Sequence, residues 1–450
     1  MKQGETATVE IVDLAYGGEG VARPQGKPVV FVAEALPGER VRIQITEVRD
    51  SYSRGKLLEI IQNSRERVSP PCPVYQRCGG CQLQHLEYSG QLRAKRGMIL
   101  DSLERIAKIS ELPDFRVQGM DFPWNYRNKG QFPLGLKDDE IRAGFYRSGS
   151  HELVFFPECR IQDQPINRLL DRTVELLQQR EVEPYREEKH QGELRHLLLR
   201  SARCTGQQQL TFITREKKRS PWQELAEKLI QGNPGLKGVH QNINPSRTNV
   251  ILGEETRLLV GEPYITEYLE FYRFIIYPES FFQINQLMAV KLYDTVREMA
   301  GKISSGEIVD AYCGTGSIGI YLSELSSRLV GFDSSQAAIE AARFNARING
   351  LEGKVKFHQA EAEEALAEVL NPASLLILDP PRSGLDSVVR KDILEIGPGG
   401  IIYVSCNPGT LARDLKGLKE RYRISEISGI DMFPQTYHIE TAVLLERKGG

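Results

Sequence analysis

The sequence lacks any run approaching the roughly 18 apolar residues that a membrane-spanning helix requires, and its opening, M-K-Q-G-E-T-A-T-V-E, lacks the apolar stretch of a secretory signal. A soluble, cytoplasmic protein with no membrane partner is expected. The chain also lacks an excess of either charge: 58 Lys and Arg stand against 60 Asp and Glu, a net charge of -2. Many nucleic-acid binders carry a global basic field, so any RNA contact here must rest on local patches. Internal repeats and low-complexity tracts are absent as well. The seven cysteines are odd in number, with three crowded at Cys72, Cys78 and Cys81 and the rest scattered, unlike a secreted disulfide framework. Metal binding or catalysis is the better expectation for them. What remains is an ordinary globular composition, 40% hydrophobic and 26% charged over 450 residues, enough for two or three domains. Nothing in it implies a protein partner, and a monomer is expected.

Residues 6 to 62 alternate apolar and polar positions through T-V-E-I-V, P-V-V-F-V-A and V-R-I-Q-I-T-E-V, broken by G-G-E-G and L-P-G-E-R. That pattern predicts short strands closing a small barrel of the oligonucleotide-binding (OB) kind. The runs L-A-Y-G-G-E-G-V-A-R and A-L-P-G-E-R-V resemble the TRAM domain, which implies an RNA-binding barrel over residues 1–62. The Pro-rich S-P-P-C-P marks a boundary, and a helical pattern over residues 89–109 places Leu92, Ile99, Leu100, Leu103 and Ile106 on one face. Residues 63–270 are expected to form a central α/β domain with the cysteine cluster. Over residues 271–450 the strands E-I-V-D-A-Y, R-L-V-G-F-D, V-K-F-H, L-L-I-L-D and I-I-Y-V-S alternate with helices, predicting a Rossmann-like, doubly wound parallel sheet. The last two strands follow each other without a helix, an antiparallel ending that suits a methyltransferase better than a dehydrogenase.

From Asp310 to Gly319 the sequence D-A-Y-C-G-T-G-S-I-G ends a strand and opens a helix, with Gly314, Gly316 and Gly319 spelling G-x-G-x-x-G. Asp333 ends the next strand, where a carboxylate accepts hydrogen bonds from a ribose diol. Neither feature chooses between a dinucleotide and S-adenosylmethionine. Asp310 favours the latter, because a carboxylate there repels a pyrophosphate but tolerates a sulfonium or ammonium. A later strand ends in Asp379-Pro-Pro-Arg382, like the (D/N)-P-P motif of nucleic-acid methyltransferases. Arg382 replaces the aromatic residue usual in amine methylation.

The next strand ends in S-C-N-P, with Cys406 at the carboxyl edge of the sheet, where ligands bind in open α/β folds. A thiolate at that edge suits methylation at carbon 5 of uracil, since carbon 5 becomes nucleophilic only after a thiolate adds to carbon 6, and a base must later remove the carbon 5 proton. The chain carries D-x-Y-C-G-x-G from Asp310, D-P-P-R from Asp379, S-C-N-P from Ser405, H-x-E from His438 and F-F-Q-x-N from Phe281. In this order they resemble the RNA (uracil-5-)-methyltransferase family, and with the amino-terminal features the resemblance spans nearly the whole chain. It implies Cys406 as nucleophile, Glu440 as base, and Gln283, Tyr312, Gly314, Asp333 and Asp379 around S-adenosylmethionine. Asp379 has the uracil edge as an alternative partner, and His438 is the competing base. Asp333 is shorter than the Glu often found at its place in the family.

The C-x5-C-x2-C of Cys72, Cys78 and Cys81 needs a fourth ligand for an iron–sulfur or zinc site, and Cys159 is the natural candidate. Family members with C-x5-C-G-G-C-x-x-Q-H, continued here through Gln84 and His85, hold a [4Fe-4S] cluster; zinc is the alternative. Cys204 and Cys313 are expected to be packed thiols. Basic runs at 93–96, 127–129 and 217–219 are candidates for phosphate contact, and Phe122, Trp124, Tyr126 and Phe132 interleave with the second, as where unstacked bases are held. The resemblance implies a structured RNA substrate whose target uridine is flipped, with ribosomal RNA ahead of the tRNA T-loop. A non-catalytic RNA-binding or redox-sensing protein is the alternative class, and intact Cys406 and Glu440 oppose it.

Overall fold

A computed structural model describes residues 2–218, 220–303 and 306–449. The chain divides into two compact units, one of Met1–Pro123, Pro381–Leu385 and Tyr403–Leu445, the other of Trp124–Pro380, Asp386–Ile402 and Glu446–Gly450. Five strands open the first unit: β1 (Thr6–Leu14), β2 (Gly20–Ala22), β3 (Val29–Val32), β4 (Arg40–Val48) and β5 (Tyr52–Gln62). They close a barrel in the order β1-β2-β3-β5-β4, shut by antiparallel pairing of β1 with β4 from Thr6↔Gln44 to Glu10↔Arg40. Strand alternation explains the interior: Val9 and Ile11 of β1 meet Val41, Ile43 and Ile45 of β4 in one core. Helix α1 (Tyr88–Ser102) continues into a π-helical turn, Leu103–Ala107, and a short strand β6 (Val117–Gln118) follows. The buried face of α1 differs from expectation. Ile99, and Leu103 just beyond the helix, are buried as expected, but the rest of the face runs through Gln91, Lys95 and Met98, while Ile106 is exposed.

In the second unit β7 (Lys129–Lys137), β8 (Glu140–Tyr146), β9 (Leu153–Phe155), β10 (Leu194–Ser201), β11 (Gln208–Thr214), β12 (Leu236–Ile243) and β13 (Glu255–Gly261) form one sheet, ordered β13-β12-β11-β10-β7-β8-β9. Helices α2 (Gln164–Gln179) and α3 (Trp222–Gly232) cover it. Ile166, Leu169, Leu170 and Leu177 recur at helical spacing on α2 and share a core with Leu197, Leu199 and Phe212 of the sheet. The two-stranded β14 (Ile265–Leu269) and β15 (Tyr272–Ile276) lead to α4 (Gln286–Ala300). A parallel sheet then alternates with helices: β16 (Glu307–Ala311), α5 (Ser317–Tyr321), β17 (Arg328–Asp333), α6 (Gln336–Ile348), β18 (Val355–Gln359), α7 (Ala362–Val369), β19 (Ser374–Leu378) and α8 (Ser387–Ile396). Its strands run β18-β17-β16-β19, all parallel, as the alternating pattern predicts.

Strand β20 (Gly400–Ser405) begins in the second unit and ends in the first, delivering Cys406 there. Helix α9 (Pro408–Leu418), β21 (Tyr422–Ile430) and β22 (Glu440–Arg447) follow, with β22 beside β21 as the missing helix predicts. One strand was not foreseen: β6 adds in parallel to β21, pairing Val117 with Gly429.

Candidate active site

The second unit carries the glycine-rich turn. Asp310, near the end of β16, is fully buried, and its Oδ2 accepts the amide of Gly319 at 2.9 Å. A side chain at 319 would place its Cβ 2.9 Å from that oxygen, so only glycine lets the amide approach. Burial, and next the Asp379 carboxylate, push the Asp310 carboxyl up to about 8, opposed by the Gly319 amide; its Oδ1 is buried with no partner. Asp379, half-buried, is pushed up to about 7 by burial. Asp333 ends β17 and braces the turn: Oδ2 accepts from the Gly314 amide at 3.0 Å and Oδ1 from the Ser335 amide at 2.9 Å. Each oxygen retains acceptor capacity for a diol. Tyr312 takes a left-handed conformation, φ 65°, in entering the turn. Gln283 is buried, with Asn128 Nδ2 donating to its backbone oxygen at 3.1 Å.

Which ligand fits follows from the charges. Two carboxylates and one amide act on Asp310, whose orphaned oxygen lies in a low-dielectric setting. A cation relieves that arrangement, whereas a pyrophosphate aggravates it.

Cys406 and Glu440 belong to the first unit, and both act electrostatically on Tyr16 of the β1–β2 turn, as do Tyr437 and Arg382. Tyr16 Oη donates to the backbone oxygen of Cys406 at 3.3 Å, and its ring meets Tyr437 edge-on at 5.1 Å. Glu440 opens β22 and is 5% exposed, not the solvated residue common beside a terminal strand. His438 packs against Tyr437, with ring centroids 4.2 Å apart and planes tilted by 40°. The approach to Glu440 is clamped by α1. Lys95 Nζ donates to Asp431 Oδ1 at 2.5 Å and to the Phe433 oxygen at 3.1 Å, and Gln91 and Gln435 exchange two hydrogen bonds at 2.9 and 3.0 Å. The amides of Gln82 and Leu83 both donate to the Gln435 oxygen. Residues 431–440 are therefore held by side chains more than three hundred positions away in sequence. Tyr16 was missed by motif reading; its signal was an aromatic residue at the apex of a glycine turn.

The cysteines and basic runs fare differently. Cys72 and Cys78 lie close enough to interact, and burial raises the Cys78 thiol. Cys81 follows in the same unit, while Cys159 belongs to the second, where its backbone is tied to Asn167. Among the described residues no group of three or more His, Cys, Asp or Glu is arranged to hold a metal ion, so the [4Fe-4S] expectation finds no assembled ligand set. Cys313 is packed as expected, but Cys204 is exposed. In the first basic run Lys95 is fully buried, Arg93 pairs with Glu66, and Arg96 pairs with Asp114 at 2.9 Å. Lys95 is thereby committed to the fold, while the two arginines are exposed and share their charge with carboxylates. In the third run Lys217 pairs with Glu255 and Lys218 with Glu216, while Arg219 lies outside the described residues. In the second run, burial pulls the Lys129 ammonium down to about 7, and Arg200 and Arg127 add to the pull. Of the four interleaved aromatics, Phe132 and Tyr126 are core residues; Phe122 is exposed and Trp124 partly so. Phe281, unremarked in that context, is 68% exposed.

No helix among the described residues is long and apolar enough to cross a membrane. The family described as tRNA (uracil-5-)-methyltransferase matches residues 87–448, and the TRAM domain matches residues 1–58. An uncharacterized RNA methyltransferase of Halalkalibacterium halodurans is 39% identical, covering 100% of this chain and 98% of its own length. Another, from Caldanaerobacter subterraneus subsp. tengcongensis, is 40% identical, with 99% of each chain covered. The crystal structure of Pyrococcus abyssi tRNA (uracil-54, C5)-methyltransferase in complex with S-adenosyl-L-homocysteine is 28% identical, covers 98% of this chain and 100% of its own, and superposes with a TM-score of 0.78. With a match from residue 87 to residue 448 and full-length relatives at this identity, the chain belongs to the tRNA (uracil-5-)-methyltransferase family.

Proposed function

We propose that this RNA methyltransferase methylates carbon 5 of a uridine in structured RNA, with Cys406 as nucleophile and Glu440 as base. The observation that carries the reading is that Tyr16, whose hydroxyl reaches the Cys406 backbone oxygen at 3.3 Å, also feels the charges of Arg382 and Glu440, although these residues lie apart in sequence. S-adenosylmethionine is the fitting cofactor, held by Asp310, Tyr312, Gly314, Asp333 and Gln283, with Asp379 at the cofactor or the uracil edge. When bound, it supplies a methyl group of electrophilic character to carbon 5. The Cys406 thiolate adds at carbon 6 and makes carbon 5 nucleophilic. Glu440 then removes the carbon 5 proton from the methylated adduct, and the Cys406–carbon 6 bond breaks to return the thiolate.

The order of these steps gives the test. Cys406→Ala loses turnover and every covalent protein–RNA species. Glu440→Gln accumulates a denaturant-resistant complex carrying label from the methyl group of S-adenosylmethionine. Normal turnover by Glu440→Gln, or an adduct with Cys406→Ala, refutes the assignment and turns attention to His438.

Ribosomal RNA is the acceptor suggested by a TRAM barrel combined with the cysteine motif. The full-length likeness to the Pyrococcus enzyme favours transfer RNA as a second reading. Methylating total RNA from cells lacking the protein, then mapping the labelled nucleoside, separates them. The iron–sulfur reading rests on the cysteine spacing and on the resemblance to family members with the same motif, and no step passes through a cluster. Protein purified without oxygen contains about four irons if that reading holds; a colourless protein with stoichiometric zinc refutes it.

A further inference from the structure

We propose that Tyr16, carried by the barrel's β1–β2 turn, is a base-stacking residue of the active site, pairing with Tyr437 to hold an unstacked nucleobase of the RNA beside Cys406. The inference rests on the reading of Cys406 as the nucleophile and adds a substrate contact from a different part of the chain. Its first support is accessibility. Tyr16 is 41% exposed although its hydroxyl reaches the Cys406 backbone, and Tyr437 and His438 are half-buried beside it. An aromatic ring that only filled a core would not leave this much of its surface open at a nucleophile.

The second support is rigidity. Ala15 donates to the Glu19 oxygen and Gly18 to the Ala15 oxygen, both at 2.9 Å, so a closed turn presents Tyr16. Gly18 has φ +82° and packs so closely that an added Cβ would lie 3.1 Å from Gln82 Cβ. Leu14, two residues before Tyr16, is buried with Leu83, Leu86 and Met98, and Tyr437 packs against the same cluster. The two rings therefore share one base of support. Burial raises the Tyr16 hydroxyl to about 12, keeping it a neutral donor to the Cys406 oxygen and the ring uncharged.

The chemistry needs such a platform. A uridine reached by a thiolate has left its stack, and the lost stacking is replaced by aromatic side chains that accept any base.

The test uses the full chain and a single-stranded oligouridylate containing one 2-aminopurine, whose emission falls when it stacks on an aromatic ring. The wild-type protein quenches the probe on binding. Tyr16→Leu loses the quenching and weakens binding by about tenfold, the loss of one base–aromatic stack. Tyr16→Phe retains both, which separates the ring from the hydroxyl and serves as the folding control. With methyl-accepting RNA, Tyr16→Leu raises KM by about tenfold at nearly constant kcat, the mark of lost binding. The proposal is overturned if the wild type does not quench, if Tyr16→Leu behaves like wild type, or if Tyr16→Phe is as impaired as Tyr16→Leu. The quenching is read without methyl transfer, so it stands or falls apart from the Glu440→Gln adduct that tests the chemistry.

Discussion

Asp431 and Asp310 are both fully buried aspartates, one in each unit, and they are partnered in opposite ways. Asp431 receives the Lys95 ammonium at 2.5 Å and the Tyr88 hydroxyl at 2.9 Å. Burial pulls the Lys95 ammonium below its ordinary range, and Asp431 opposes the pull. Asp310 has one amide on Oδ2, nothing on Oδ1, and other carboxylates for neighbours. A buried carboxylate supplied with its counter-ion serves the fold, whereas a carboxyl that keeps its proton for want of such a partner is prepared for a ligand that brings the missing positive charge.

The contrast is broken most forcefully on the partnered side. Lys95→Met leaves Asp431 buried without its cation, and the apparent unfolding free energy falls by about 3–5 kcal/mol in denaturant melts. Adding Asp431→Asn recovers part of the loss; a single variant as stable as wild type would mean the pair is dispensable.

On the other side, Asp310→Asn leaves folding nearly intact and weakens S-adenosylmethionine by about 1.5–3 kcal/mol, the range of a hydrogen bond to a charged group. Calorimetric titration reads this directly. The pH dependence follows from the raised carboxyl. Above its ordinary value of 3.8 the unfolded chain releases the proton while the folded chain keeps it, so stability declines as pH rises from 3.8 towards about 8. Over the upper part of that window the carboxylate forms and affinity for the cationic cofactor increases. Both trends disappear in Asp310→Asn, and a flat pH profile in the wild-type protein contradicts this account of Asp310. The smallest effect is at Asp333. Its removal by Asp333→Ala leaves the Gly314 amide unpaired and weakens cofactor binding by about 1–3 kcal/mol, and unchanged affinity takes this residue out of the site.

The two sides were also unequally legible in the sequence. The turn from Asp310 to Gly319 and the strand end at Asp333 are contiguous patterns, and the parallel strands around them follow from hydrophobic runs separated by helices. The barrel was legible from strict alternation in β1 and β4. Lys95 was read as a surface cation because no local pattern announces a partner 336 positions away. The same holds for Gln91 and Gln435, and for Tyr16, whose partner Cys406 lies 390 positions on. Phe132 and Tyr126 were read as base-binding because an aromatic beside a basic residue has the same composition whether it faces RNA or the core.

Strand β20 begins in one unit and ends in the other, and the unit that holds Cys406 is assembled from three separate stretches ending at Leu445. A ribosome delivers the chain in order, at about 5–20 residues per second, and domains of continuous sequence fold as they emerge. The barrel has that opportunity early. The clamp of α1 does not, because Lys95 must wait for Asp431, and Gln91 for Gln435, until synthesis is nearly finished. During that interval a lysine and a glutamine destined for burial remain in water, and Cys406 exists before the residues that brace its surroundings. Truncation shortly before Asp431 therefore removes more than a final strand: it leaves the amino-terminal helix permanently without the partners its buried face was composed to meet.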